Sequence, residues 1–302
     1  GINVDDVEDL ILGCAFPEGE QGLNVARNVG FLTGLPISVA GATVNRFCGS
    51  SMQAIHMAAG AIQMGAGEVF ICGGVESMTR VPMMGFNPLP HPGLCESYPQ
   101  VYISMGLATE HLVRQYEIPR TAHEEFALAS HQKAAASQTS GNFSDEIIPI
   151  VHNGDTIGKD GCIRPDTSLE ALASLKPAFD KDGTVTAGTS APLTDGAATV
   201  LVCSQDYARR KDIKALARIR SIAVAGCAPE MMGIGPVGAT RKALERASLT
   251  LGDIDVIELN EAFAVQTLAC VQELNIDLER LNLEGGALAL GHPLGASGAR
   301  IT

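Results

Sequence analysis

The sequence predicts an α/β protein made of two similar halves with a long irregular insertion between them. Three observations carry that prediction. Short apolar runs alternate with helical periodicity over residues 1–80, a pattern from Asp6 to Phe16 recurs from Asp253 to Phe263, and prolines 82, 88, 90, 92 and 99 break the rhythm between Val81 and Tyr102. At 302 residues and 46% hydrophobic content, the chain can bury a core for one large or two to three ordinary domains. Its 33 glycines and 4% aromatics, with no Trp, point to close strand–helix packing and glycine-shaped loops. A net charge of −13 argues against a general nucleic-acid or anionic-membrane surface, so an anionic ligand must be held by local groups. No apolar run is long enough to span a membrane, and the acidic start is unlike a signal peptide. With neither a Met at its start nor a finished element at Thr302, the sequence reads as an internal fragment.

Asp9–Phe16 is short and apolar, as a buried strand should be; residues 22–35 follow with a helical stripe (Leu23, Ala26, Val29) halted by Gly34 and Pro36. Residues 37–45 are strand-like and lead straight to Cys48. Residues 49–64 carry Met52, Ile55, Ala59 and Ile62 at helical spacing, and Val69–Cys72 is a further strand closed by Gly73-Gly74. This alternation is that of a sheet covered by helices on both faces. After the proline-rich stretch, residues 106–138 are helical, with a second helix after Pro119 whose Thr121 and Glu124 are spaced as a capping box. Residues 143–181 are loop-rich with one helix near Ser168–Leu175. Strand character is expected again over 184–189, 199–203, 214–224 and 254–260, and over Ala287-Leu288-Ala289-Leu290; helices are expected over 238–247 and 262–274. The domains expected are therefore 1–80 with 193–213, an inserted loop domain over 81–192, and 214–302 as a truncated second half.

The repeat strengthens this division. Asp6, Leu12, Ala15 and Phe16 recur at one constant offset as Asp253, Leu259, Ala262 and Phe263. Cys48 follows the first copy, and His292 the second, at similar intervals. Each half would thus present one reactive residue beyond a corresponding strand, where ligands of α/β folds collect.

His292 stands in Gly291-His292-Pro293-Leu294-Gly295-Ala296-Ser297-Gly298, held on a turn that glycine and proline shape. An imidazole so placed can take and return protons near neutral pH. Cys48, between a strand and the first turn of a helix, is the candidate nucleophile, and helix-end amides there are expected to lower its pKa. The other cysteines lie in apolar elements or loops with no C-x-x-C pair, so reduced thiols, no zinc and a cytoplasmic setting are expected. A strand-end amide such as Asn260 is costly in a core unless it binds something. Glu261 beside it is a base or, in the preferred reading, a cap of the following helix. No G-x-G-x-x-G or phosphate-loop Lys is present, so nucleotide cradles of those types are not supported.

Taken together, Val44-Asn45-Arg46-Phe47-Cys48-Gly49-Ser50-Ser51, Asn260-Glu261-Ala262-Phe263 and Gly285-Gly286-Ala287-Leu288-Ala289-Leu290-Gly291-His292-Pro293 resemble the thiolase family, in the family's order and over nearly the whole chain. Gly183–Thr189, Met232–Pro236 and His91-Pro92-Gly93 fit as well, the details being most similar to degradative 3-ketoacyl-CoA thiolases of bacterial fatty-acid β-oxidation. The resemblance implies duplicated α/β halves layered helix–sheet–helix–sheet–helix, with 81–192 as a CoA-holding loop domain. It implies that Cys48 attacks the 3-keto carbon of a 3-oxoacyl-CoA, that His292 activates the sulfur, and that Asn260 positions an oxyanion-hole water. Arg164 would lie against the adenine end of CoA; Leu175, Phe179 and Ala187 would be wall positions, and Met105 and Phe263 would line the acyl and pantetheine end. Ala191 replaces a frequent pantetheine-contacting Ser, leaving Ser190 as its substitute. CoA is a substrate in this chemistry, and neither a resident cofactor nor a metal is implied. A homodimer or larger assembly, and a hydratase/dehydrogenase α-subunit as partner, are further implications. The family's second catalytic Cys, downstream of the His, is not within this sequence. Three other readings compete: an acetoacetyl-CoA thiolase, a 3-oxoacyl synthase of the same superfamily, against which the Asn260-Glu261-Ala262-Phe263 and Gly291-His292-Pro293 segments speak, and a non-catalytic acyl-CoA-binding module.

Overall fold

The computed structural model describes residues 2–302. Its strands are β1 (Asp9–Gly13), β2 (Ala40–Val44), β3 (Val69–Glu76), β4 (Ile150–His152), β5 (Asp155–Ile157) and β6 (Gly196–Cys203). Its α-helices are α1 (Val25–Leu32), α2 (Ser50–Gln63), α3 (Pro92–Ser97), α4 (Met105–Tyr116), α5 (Arg120–Ser140), α6 (Leu169–Ala173), α7 (Gln205–Arg210), α8 (Gly235–Ala247), α9 (Ala264–Leu274), α10 (Ala287–Leu290) and α11 (Ser297–Ile301). They group into two compact units, each discontinuous in sequence. One comprises Gly1–Leu89, Leu193–Ile222 and His292–Thr302; the other comprises Pro90–Pro192 and Ala223–Gly291.

The first unit is built on a sheet of order β2-β1-β3-β6. β1 runs parallel to both β2 and β3, whereas β6 is antiparallel to β3, from Val69 opposite Cys203 to Glu76 opposite Gly196. Side chains alternate across a strand, and β1 uses both faces. Ile11 packs with Ala54, Ile55 and Ala58 of α2 and with Phe70, Cys72 and Val202, while Leu10 and Leu12 meet Ala26 of α1 on the other side. Ala54 and Ala58 keep α2 close to the sheet. Burying Ile11 stabilises the fold by about 1.5–3 kcal/mol.

In the second unit, α4 and α9 share a core of Leu112, Ile118, Val185, Phe263, Val265 and Ala269. A second cluster joins Ala127 of α5, Leu172 of α6, Ala264 of α9 and Leu288 of α10. β4 and β5 form an exposed hairpin inside a stretch expected to be loop.

Several local expectations are corrected. Residues 254–260 form no ladder beyond a parallel bridge from Ile257 to Leu281, and 214–224 run as irregular backbone with Leu216 99% exposed. Residues 184–189 make only one antiparallel bridge, Pro177 to Thr186, and are otherwise tied by side chains: Glu110 accepts from the N–H groups of Thr184 and Val185, and a capping box of Thr186 and Thr189 closes a 3-10 turn. Ala287–Leu290 is a helix, an apolar run too short for its period to decide. Thr121 does not cap α5, which starts at Arg120 behind Pro119; Glu124 instead pairs with Arg120 at 2.7 Å. The repeat survives these changes in detail. Its two copies enter through matching 3-10 turns, Val4–Asp6 and Leu251–Asp253, and the aligned residues Leu10 and Ile257 both make parallel strand-type pairings.

Candidate active site

Cys48 lies in a 3-10 turn, Phe47–Gly49, between β2 and α2. Phe47 holds a left-handed backbone (φ 46°), unusual for a bulky residue, and its neighbours enforce it. The Phe47 N–H donates to Asn45 Oδ1 at 2.9 Å, Asn45 Nδ2 donates to the Ala15 carbonyl at 2.9 Å, and Ser50 Oγ donates to the Phe47 carbonyl at 2.6 Å. The chain therefore turns sharply at the cysteine, over the end of β1.

The expected acidity of this thiol is not found. Burial pushes Cys48 up to about 12, and the charge of Glu76 adds to the effect; a hydrogen bond from the Cys48 backbone N–H only partly offsets it. Buried Cys14 and Cys72 are also pushed up to about 12, so acidity does not set Cys48 apart. A thiol of this kind needs a base.

His292 is 4% exposed, and burial, aided by Arg300, pushes its pKa down to about 3. It is a neutral imidazole at working pH. Gly291 turns the chain into it with φ 91°, and Leu193 pairs with it in a parallel bridge. Its Nδ1 lies 2.6 Å from Ser297 Oγ, whose own hydroxyl donates to the Pro293 carbonyl at 3.2 Å. With that single proton committed to Pro293, Nδ1–H donates to Ser297 and Nε2 keeps its lone pair. A neutral ring with this tautomer is able to accept a proton.

Both residues belong to the first unit, where the turn bearing Cys48 packs against the turn Leu294–Ala296 that follows His292. The Ala299 N–H donates to Ser51 Oγ at 2.8 Å, joining α11 to the start of α2. Close approach is needed behind the pair as well: a Cβ on Gly74 would sit 2.1 Å from the Gly295 carbonyl oxygen.

In the second unit, Asn260 is half-buried on irregular backbone rather than at a strand end. Its neighbours are fastened by Asn282, which accepts from the Leu259 N–H and donates to the Leu259 carbonyl, each at 2.9 Å. Glu261 does not cap α9. It is 1% exposed and accepts from Ser130 Oγ (2.7 Å), Asn282 Nδ2 (2.8 Å) and the Leu288 N–H (3.2 Å) at the start of α10.

Four of the seven expected CoA-contacting positions meet around Phe263. Phe179 stacks edge-on to Phe263 with ring centres 5.7 Å apart, Met105 packs on the cluster containing Phe263, and Ser190 bridges to Phe263. Leu175 abuts Gly188, next to exposed Ala187. Arg164 is fixed differently, its backbone N–H donating to His131 Nδ1 at 3.2 Å with the side chain exposed. Sequence reasoning missed Glu76, Glu110 and Ser297. An acid inside an apolar strand (Glu76) was the available signal for the first.

Among the described residues no helix is long and apolar enough to cross a membrane, and no cluster of three or more His, Cys, Asp or Glu is arranged for a metal ion.

Known proteins supply the remaining evidence. The thiolase N-terminal domain family matches residues 1–206 and the thiolase C-terminal domain family residues 213–302. A 3-ketoacyl-CoA thiolase of Shewanella loihica is 51% identical over all of this chain and 80% of its own length; that of Bacillus subtilis is 46% identical over 98% and 79%. The crystal structure of human mitochondrial 3-ketoacyl-CoA thiolase in complex with CoA superposes with a TM-score of 0.90 at 38% identity, over 99% of this chain and 79% of that one. With both family domains matched in sequence and a solved thiolase matched in fold, the chain belongs to the thiolase family.

Proposed function

We propose that this protein is an acyl-CoA C-acyltransferase of the degradative 3-ketoacyl-CoA thiolase type, cleaving 3-oxoacyl-CoA with CoA in fatty-acid β-oxidation. The observation that supports the reading is that, within one unit, the turn bearing Cys48 packs against the turn that follows His292, a neutral imidazole whose tautomer is set by Ser297. His292 Nε2 takes the Cys48 proton as the sulfur attacks the 3-keto carbon. The bond between C2 and C3 breaks, the acyl group stays on Cys48 as a thioester, and the enolate leaves as acetyl-CoA, taking the proton that His292 carries. The thiol of free CoA then attacks the thioester, releasing a shortened acyl-CoA and returning the proton to Cys48. Splitting one displacement into two lowers each barrier. Each hydrogen-bond donor to the oxyanion contributes about 3–4 kcal/mol in sites of this kind.

The roles of Asn260 and of Arg164, Leu175, Phe179, Ala187, Ser190, Met105 and Phe263 toward CoA are part of the same proposal, supported by the family resemblance. So are a three-part division at residues 81, 193 and 214, a cytoplasmic homodimer and a hydratase/dehydrogenase partner. The test is acylation of Cys48. Incubation with a long-chain 3-oxoacyl-CoA should add the acyl mass to the Cys48 peptide, and Cys48→Ala should abolish it. Reaction with acetoacetyl-CoA alone would refute the fatty-acid assignment in favour of the short-chain enzyme. No acylation by either substrate would leave a binding module.

A further inference from the structure

Behind the thiol and imidazole turns lies a carboxylate that the reaction above does not use. Glu76, the last residue of β3, is 1% exposed. Its Oε2 accepts from the Ala15 N–H at 2.7 Å and the Gly295 N–H at 2.8 Å. Its Oε1 accepts from Gln21 Nε2 at 2.6 Å and the Phe16 N–H at 3.3 Å, and the Cys14 thiol points at it from 3.7 Å. Gln21 is itself locked, donating to the Phe16 carbonyl and accepting from the Ser77 N–H, each at 2.8 Å. Every one of these neighbours is a donor, which suits the acceptor-only ionised carboxylate.

The two ends of this network matter. Ala15 is the residue whose carbonyl holds Asn45, and Asn45 holds the backbone of Phe47 beside Cys48. Gly295 lies three residues beyond His292, in the turn that packs against the Cys48 turn. One carboxylate thus fastens the support of the nucleophile to the support of the base. No Cβ is tolerated at Gly295, where it would meet Cys14 Cα at 2.7 Å and Glu76 Oε2 at 2.8 Å, so the carboxylate is in direct contact with that backbone.

We propose that Glu76 is a positioning residue for Cys48 and His292, clasping in register the turns that bear them. The inference rests on the reading of Cys48 as nucleophile and His292 as base. The other titratable groups on the elements around the thiol are Cys14 at the end of β1, Arg46 ahead of the turn, His56 on α2, and His292 and Arg300 on the segments after it. Glu76 also contributes to the raised pKa of Cys48, second among its upward causes after burial. A resting enzyme of this design keeps its sulfur as a thiol and forms thiolate only as His292 takes the proton.

Two variants test the clasp. Glu76→Asp is too short to hold both Ala15 and Gly295; single-turnover acylation of Cys48 should fall about tenfold or more with the half-saturating substrate concentration little changed. Glu76→Gln keeps the length but sets an amide NH2 against the Gln21 amide and the Phe16 N–H, so the network cannot close as it does around a carboxylate, and acylation should fall in the same way. A merely structural role would lower stability in a denaturant titration and leave the acylation rate of the folded enzyme where it was. An unchanged acylation rate in Glu76→Asp, or in Glu76→Gln where Glu76→Asp does not fold, overturns the clasp. Acyl transfer that survives Cys48→Ala would instead refute the function reading, whatever Glu76 does.

Discussion

Ser297→Ala is a severe test of how His292 is prepared. The Ser297 hydroxyl is the partner of His292 Nδ1 at 2.6 Å, and both residues are buried, at 1% and 4% exposure. Removing it takes a strong hydrogen bond from a buried ring nitrogen, at a cost of about 1–3 kcal/mol to stability. The catalytic consequence is separate. Loss of about 1–2 kcal/mol of preference for the Nδ1–H tautomer brings the two tautomers from a bias of about five- to thirtyfold to near parity, and a protonated Nε2 cannot accept from Cys48. Acylation should slow about twofold from this cause alone. The assay is single-turnover acylation of Cys48 read by peptide mass, with a denaturant titration on the same sample. Ser297→Thr, which restores the hydroxyl, should recover most of the rate. If Ser297→Ala acylates at the parent rate while losing stability, the hydroxyl is only a structural partner and the tautomer argument fails.

Other consequences follow from the same geometry. The folded-state pKa of His292 lies near 3 against an ordinary 6.5, and burial also lowers His123 and His131. Below pH 6.5 the unfolded chain binds protons that the folded chain refuses, so stability should fall steadily from pH 6.5 towards 3. His292→Gln should flatten part of that fall in a series of urea titrations. Gly74→Ala forces a Cβ to within 2.1 Å of the Gly295 oxygen, backbone against backbone, and should cost about 1–3 kcal/mol together with slower acylation. Glu261→Ala strands the hydroxyl of Ser130, the amide of Asn282 and the N–H of Leu288, with an expected loss of about 3 kcal/mol or more in chemical denaturation.

What could be read from the sequence follows from where each element's partners lie. β1, β2 and β3 are separated only by the helices that cover them, so alternation and helical spacing within residues 1–76 define strand, cover and neighbour together. β6 joins that sheet from 120 positions beyond β3 and runs the other way, a direction no local pattern encodes. Residues 254–260 carry the same pattern as β1 but have a single bridging partner, Leu281; the pattern is necessary for a strand, whereas the ladder is what makes one.

The site divides along the same line. Cys48 and His292 are legible because each sits in a segment whose glycines have a local purpose, and the family resemblance reaches both. Their ionisation is not legible. A cysteine at a helix start invites the expectation of a thiolate, but here burial and a carboxylate brought from the end of β3 outweigh the helix-end amides. Burial also keeps the imidazole neutral. In the proposed reaction these two displacements act together: a thiol pushed up gives its proton to an imidazole pushed down only when a substrate carbonyl is there to take the sulfur's electrons. A cleft holding a ready thiolate would be open to oxidation and alkylation between turnovers. In the proposed reaction a neutral pair is reactive chiefly towards the electrophile it meets: burial keeps both groups neutral, and Ser297, by fixing the tautomer, decides which ring nitrogen can take the proton.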